Sequence, residues 1–365
     1  MNKTRKHKKE KEKEKEKEKI ITLVSYAPSI NKRLVSLKTI RKRDVIEDCN
    51  KKRAFQLKEP IQIKIADKCL PYNTEEAQEY LLGKLKENKH VQVKKIIAPV
   101  QSLGNCWFNT MFMAFFVSDK GRKFFHFFRQ LMIQGKQVDG ARIPKDMWTA
   151  FSLLNFAIES SLTGSKYAYS MNTNNIIKQI YLSVPDEYKK SYVVDVDIAS
   201  NPLNYYRCIT EYLQLDSLKS LTFPLYSDNW LQTLEQKFVQ TNVPPHYIVL
   251  EVYDSSSEDE TPGAGYSGSV TTRLKKFTIG KYEYVLDSCI IRDMEQQHFI
   301  ALITCEGKEY GYDGASFSRL VPFKWKDKLN SHAKWTFKGI YDKKYGSLYW
   351  SFRHGYQMLY YYRTK

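Results

Sequence analysis

Three side chains of this 365-residue sequence have the types and the order needed to make and break an acyl bond: Cys106, His298 and Asp313. Cys106 lies in VQSLGNCWFNTMFMAFFV, residues 100–117. Gly104–Asn105 is a tight-turn pair. Trp107, Met111 and Phe115 then recur at helical spacing, so a helix is expected to start near the cysteine. A thiol there sits at the positive end of the helix dipole, which favours the thiolate, the attacking form. The plainer alternative is a cysteine buried in an aromatic core. A histidine and an acid far downstream separate the two readings.

Of the seven histidines, His298 stands out by context. It opens HFIALITC, and the chain returns through EGKEYGYDG, with Asp313 fifteen residues after His298. A two-stranded hairpin of that length brings its far end beside its start. Asp313 can then accept the imidazole N–H and fix the tautomer, leaving the other ring nitrogen for a thiol. Gly314 lets the backbone turn away. The order Cys, His, Asp is that of a thiol hydrolase of papain type. His126, inside the aromatic run 115–128, reads as a structural histidine.

The elements that must position these groups follow from periodicity and punctuation. Asn73 with Glu76 three residues on resembles a capping box, opening a helix with Ala77, Leu81 and Leu85 on one face and an end near Lys89. Pro144, the apolar run Trp148–Ile158 and a Gly164 stop give a second helix, and Asn174–Leu182 and Asn229–Val239 carry helical periodicity. From Pro244 the pattern changes. His246–Tyr253, Tyr282–Ile291, His298–Cys305, Lys308–Tyr312, Leu348–Phe352 and Tyr356–Tyr362 read as strands, and Asp254–Ser269 as an acidic, then Gly/Ser-rich loop. Helices first and antiparallel strands later give an α+β domain.

Composition bounds the setting. Residues 1–60 hold 20 Lys/Arg against 9 Asp/Glu, so most of the +18 net charge is N-terminal. Residues 1–19, rich in Lys and Glu, have nothing to bury and are expected to be a solvated tail, with a nucleic acid or acidic partner as its functional reading. Residues 20–95, with the basic clusters Arg41–Arg43 and Lys51–Arg53, form a basic extension, and residues 96–365 the main domain. Six cysteines without a CxxC pair argue against a zinc ribbon. No signal peptide and no membrane span is read. An intracellular setting with free thiols is therefore expected, cytoplasm or nucleus, or a virion if the source is viral.

At this point the motifs resemble a family. Residues 98–363 are similar to the catalytic domain of ubiquitin-specific proteases in a short, divergent form. SLGNCWFN resembles their cysteine box, usually LGNTCYMN; VPPHYIVLEVY resembles the strand that usually ends in Arg-Phe. YEYVLDSCIIRD followed by QHFIALITCEGKEYGYDG resembles the histidine box, and GYQMLYYYR the final strand. The box lacks the threonine before the cysteine, and Gly-His-Tyr becomes Gln297–His298–Phe299. GNCWF also resembles papain and calpain boxes. An ovarian-tumour-type deubiquitinase would carry aspartate where Leu103 stands.

The resemblance implies a papain-like fold with a helical N-terminal half packed on an antiparallel sheet. No cofactor and no metal are expected, since without CxxC pairs the zinc-bearing fingers of many members cannot be present in that form; the implied substrate is the C-terminal Gly-Gly tail of ubiquitin or a ubiquitin-like protein. Cys106 attacks, His298 carries the proton and Asp313 orients the ring. The oxyanion takes the Cys106 N–H and a side-chain donor, Gln101 by the family's count, or Ser102 if the missing residue lies within the turn. The acidic Glu258–Glu260 could attract the basic tail of the modifier or be a solvated loop. Two other readings stand beside this one: a cysteine endopeptidase that processes precursor proteins, viral ones included, and a catalytically dead ubiquitin-binding scaffold.

Overall fold

Tyr247–Val252 is β-branched and aromatic and is buried along its whole length, as a strand covered on both faces must be. It lies in the principal sheet of a computed structural model that describes residues 20–24, 47–48, 61–137, 139–189, 200–239, 244–253, 267–338 and 348–364. The tail 1–19, the clusters Arg41–Arg43 and Lys51–Arg53 and residues 254–266 of the acidic insert, Glu258–Glu260 included, lie outside the described residues.

In chain order the strands are β1 (Ile21–Leu23), β2 (Glu47–Asp48), β3 (Gln62–Ile65), β4 (Lys68–Pro71), β5 (Leu221–Pro224), β6 (Tyr247–Val252), β7 (Lys276–Ile279), β8 (Tyr282–Arg292), β9 (Phe299–Cys305), β10 (Lys308–Tyr312), β11 (Val321–Pro322), β12 (Trp335–Phe337) and β13 (Tyr356–Arg363). The main sheet runs β11-β10-β9-β8-β13-β6-β5, with β7 paired to the start of β8. All these pairs are antiparallel except β5 with β6. The expected antiparallel sheet is therefore mixed at one edge. The reason is the connection: the Trp230–Val239 helix carries the chain from β5 back to β6, a crossover that leaves the two strands parallel.

Side-chain alternation divides the apolar residues between two layers. Phe299, Ala301 and Ile303 of β9 and Met358, Tyr360 and Tyr362 of β13 face the helices. Ile300, Leu302, Leu359 and Tyr361 face a second layer with Trp230, Trp325, Trp335 and Phe352. The pairing of β13 with β8 slips between Tyr360 and Tyr361, and Asp287 has no opposite residue. Its carboxylate accepts from the backbone N–H of Lys120 at 3.1 Å and Gly121 at 3.3 Å, at the start of the Asp119–Phe124 helix. The helix and strand mixture is that of an α+β fold.

Most expected helices form, with instructive differences. The first spans Glu75–Glu87 and buries Ala77, Leu81 and Leu85, but its cap is Thr74 and no capping box closes. Thr74 Oγ1 donates instead to the Pro71 carbonyl at 2.9 Å, because the preceding turn offers an acceptor. Lys145–Thr163 starts after Pro144 and ends at Gly164, φ 74°. Leu348–Phe352 is not a strand: only Trp350 bridges to Trp335. Cys106, Cys208, Cys289 and Cys305 are free thiols, whereas Cys69 is disulfide-bonded, against the expectation of free thiols throughout. Among the described residues, no helix is long and apolar enough to cross a membrane.

Three helices meet around a buried ion pair. Arg129 Nη2 lies 2.6 Å from Glu159 Oε2. Arg129 Nε donates to Asn155 at 2.9 Å, and Asn88 Nδ2 donates to Glu159 at 2.5 Å. Removing one partner of such a pair leaves the other charged and unsolvated. Glu159→Ala is expected to lower the unfolding free energy by about 3–5 kcal/mol, read from urea midpoints. A loss under about 1 kcal/mol would show that water reaches Arg129.

Candidate active site

The cysteine arm begins as an extended run, Ala98–Ser102, and turns at Leu103–Asn105 into the Cys106–Phe112 helix, which continues as a π-helical turn, Met113–Val117. The helix starts at the cysteine, as its periodicity requires. The turn differs from the sequence expectation: its left-handed residue is Leu103, φ 57°, and not Gly104. Asn105 explains this. Its Oδ1 accepts from the Ser102 N–H at 3.0 Å, and its Nδ2 donates to Thr173 Oγ1 at 2.8 Å. Thr173 Oγ1 in turn donates to Asn109 at 2.7 Å. Ser102 is tied back while Leu103 is pushed outward, 82 % exposed.

The histidine arm is the hairpin of β9 and β10. Tyr312 faces Ala301 in the register, so Asp313 comes next, within reach of His298 at the start of β9. His298 Nε2 lies 2.8 Å from Asp313 Oδ1. The Ala315 N–H donates to the same oxygen at 3.0 Å, and Ser316 Oγ donates to Oδ2 at 2.6 Å. The carboxylate is thus fixed from three sides, and Nδ1 is the nitrogen left for the cysteine.

The two arms are joined by backbone. The Gln101 N–H donates to Gly314 O, and the Ala98 N–H to Ser318 O, each at 3.0 Å. The buried Tyr312 hydroxyl donates to Pro99 O. Gly314 is glycine for want of space: a Cβ there would lie 2.6 Å from the Tyr312 hydroxyl and 3.1 Å from Pro99 O. This seam brings the Cys106 sulfur beside the His298 ring, where it adds to the attraction that holds the ring's proton. The sulfur is also 4.0 Å from the Gln297 carbonyl. Gln297, like Leu103, is left-handed, φ 51°.

Burial would strip His298 of its proton, but the Asp313 charge and hydrogen bond, helped by Cys106, outweigh it and push the imidazole up to about 10. Burial would likewise raise Asp313, but His298, Ser316 and Ala315 hold it below the usual carboxylate range. The pair therefore favours an imidazolium held against the Asp313 carboxylate. Such a set can supply a nucleophilic sulfur and a proton carrier oriented by an acid.

Cys106, His298 and Asp313 are thus brought together. Gln101 is near, but its Nε2 donates to Leu103 O at 3.3 Å, and its Oε1 is buried with no partner among the described residues. Ser102 Oγ accepts from Asn174 at 3.1 Å. His126 is half-buried beside Phe127, in a different part of the fold. Sequence reasoning missed Trp350, whose buried ring lies 5.8 Å from that of His298; its run, Leu348–Phe352, had been accounted for as a strand.

No family model and no curated protein sequence matches this chain. Among solved structures it is similar to the Ubp8–Sgf11–Sgf73–Sus1 SAGA DUB module, with 9% identity over 83% of this chain and 78% of that one and a TM-score of 0.42. The Ubp8/Sgf11/Sus1/Sgf73 module bound to ubiquitin aldehyde gives 9% identity, 83% and 79% coverage and a TM-score of 0.44. An essential yeast splicing factor gives 8% identity, 85% coverage of both chains and a TM-score of 0.38. Likeness at this level says nothing of chemistry, which rests on the side chains.

Two outcomes follow for the site. His298 stabilises the fold fully below its unfolded value of 6.5 and loses that contribution as pH rises through about 10. The thermal midpoint is expected to fall between those limits, and less so in Asp313→Asn. Gln297→Gly removes a left-handed cost of roughly 1–2 kcal/mol and adds about 0.4–1 kcal/mol of unfolded-state freedom. The variant is expected to be more stable by up to about 1 kcal/mol in urea unfolding, and a destabilised variant would show that the glutamine side chain is needed.

Proposed function

We propose that this chain is a cysteine-type deubiquitinase, of the ubiquitin-specific protease type that its motifs resemble. It would cleave peptide or isopeptide bonds after the C-terminal glycine of ubiquitin or a ubiquitin-like protein. The observation that carries the reading is the Asp313–His298 hydrogen bond at 2.8 Å, with the Cys106 sulfur beside the same ring.

The steps follow from those atoms. The Cys106 thiolate attacks the scissile carbonyl, and the negative oxygen forms where the Cys106 backbone N–H at the helix start can meet it. Gln101 supplies the second donor once its amide leaves the long bond to Leu103 O. Each preorganised donor of this kind contributes about 2.7–4 kcal/mol. His298 gives its Nδ1 proton to the leaving amine, and a thioester remains. The neutral ring then takes a proton from water, which attacks the thioester and frees Cys106. Asp313 keeps Nε2 protonated and the ring in register throughout.

A ubiquitin carrying a thiol-reactive group at its C-terminus is expected to label the wild type and not Cys106→Ser. No labelling of the wild type would overturn the ubiquitin reading, and reactivity toward a generic peptide aldehyde alone would favour the endopeptidase. His298→Ala is expected to lose roughly 10²–10⁴-fold in turnover, the scale of general acid–base catalysis, and Asp313→Ala less. With the imidazole at about 10, kcat/KM on a fluorogenic ubiquitin substrate should decline on the alkaline side only near that pH. A decline near 6.5 would show that Asp313 does not hold the proton.

A further inference from the structure

The far end of the sheet carries a second feature that the hydrolase chemistry does not use. At the site end, Tyr356 of β13 faces Arg292, which faces Phe299; at the other end Arg363 faces Tyr284. Seven residues of strand separate the two, roughly 23 Å at about 3.3 Å per residue. Between that end, the start of β6 and the Asp119–Phe124 helix lies a cavity of about 330 Å³.

Its lining is part aromatic and part cationic, completed by Leu218, His246 and Thr364. Phe124, Phe127 and Tyr362 line it together with Lys120, Lys123 and Arg363. Phe127 is 65% exposed, although the helix that bears it, His126–Gln134, buries Phe128 and Leu131 next to it. Among the described residues, neither lysine nor Arg363 forms an ion pair with a carboxylate. Arg363 is held instead by Pro244 O at 3.2 Å, by His246 Nδ1 at 2.9 Å and over the Tyr282 ring at 5.3 Å, contacts that include no carboxylate. Two carboxylates lie nearby: Asp287 is buried and accepts from the backbone N–H groups of Lys120 and Gly121, and Glu283 accepts from Thr364 Oγ1 at 3.0 Å. The Tyr362 hydroxyl is buried with no hydrogen-bond partner among the described residues. A surface that exposes an aromatic ring beside three cations without a carboxylate ion-pair partner among the described residues is complementary to an anion with an apolar body.

We propose that this cavity docks an acidic peptide segment that presents one aromatic side chain between carboxylates. The size fits: 330 Å³ is near the lower end of the roughly 300–1,000 Å³ of ligand clefts, room for one ring and a short stretch of backbone. The placement of charge fits as well. Three cations share one cavity with the exposed Phe127 ring, which matches carboxylates flanking a ring better than a run of phosphates. The ring enters between Phe124 and Phe127, and the carboxylates meet Lys120, Lys123 and Arg363. The inference does not depend on the hydrolase reading, because no group of the Cys106 site takes part.

The test uses the full chain and a blocked pentapeptide, phenylalanine flanked by two glutamates on each side, titrated calorimetrically. Binding by the wild type is expected to weaken at least tenfold in Lys123→Glu/Phe127→Ser. Both positions are exposed, and an unchanged thermal midpoint checks the fold. A glycine-centred peptide should lose a similar factor, and raised salt should weaken binding. Labelling by the ubiquitin probe should be unchanged in the double variant, so the two readings fail separately. The proposal is overturned if the wild type does not bind the pentapeptide or the double variant binds it equally well. It is also overturned if an oligouridylate, and not the peptide, loses affinity in the variant.

Discussion

The seam between Pro99–Gln101 and Tyr312–Gly314 is the constraint on which the rest of this structure depends. It joins a thiol on a helix to an imidazole on a sheet, elements that otherwise meet mainly through apolar packing. Packing is directionless, whereas the backbone bond from Gln101 to Gly314 and the Tyr312 hydroxyl on Pro99 fix a register. Each such bond contributes about 0.5–1.5 kcal/mol net, little against the whole fold. Its weight is geometric: a slip of one residue would carry Cys106 past the ring.

That geometry also sets the charge. A buried imidazolium is tolerable only where fixed anions face it, since burial by itself favours the neutral ring. Asp313 can be such an anion because Ala315 and Ser316 hold it as a carboxylate. The seam, the carboxylate and the ring form one chain of dependence, from glycine size at Gly314 to proton affinity at His298. The cluster of Arg129 and Glu159 follows the same logic among the helices, without any chemistry to perform.

What could be read in the sequence was local. The helix at Cys106 and the hairpin from His298 to Asp313 are written in short periodicities, and the tyrosine-rich run Tyr356–Tyr362 gives its strand directly. What could not be read depends on partners far away in sequence. Leu103 takes the left-handed turn because Asn105 is held by Thr173, and Gly104, the better residue by local rule, is left unused. The parallel edge of the sheet follows from a crossover helix, which no strand pattern encodes. Trp350 reaches His298 through a single bridge to Trp335, where an alternating run had suggested a full strand.

The parallel pairing of Ile21–Leu23 with Trp335–Phe337 has a consequence for how this protein is made. It closes a loop of more than three hundred residues, and Leu23 then lies over Gly311, on the strand that leads to Asp313. Loop closure on that scale has to wait until shorter-range contacts have removed most of the chain's freedom. During synthesis, Ile21–Leu23 therefore waits for a partner strand made much later. The hairpin that holds the acid is therefore covered late, by a strand synthesised long before it.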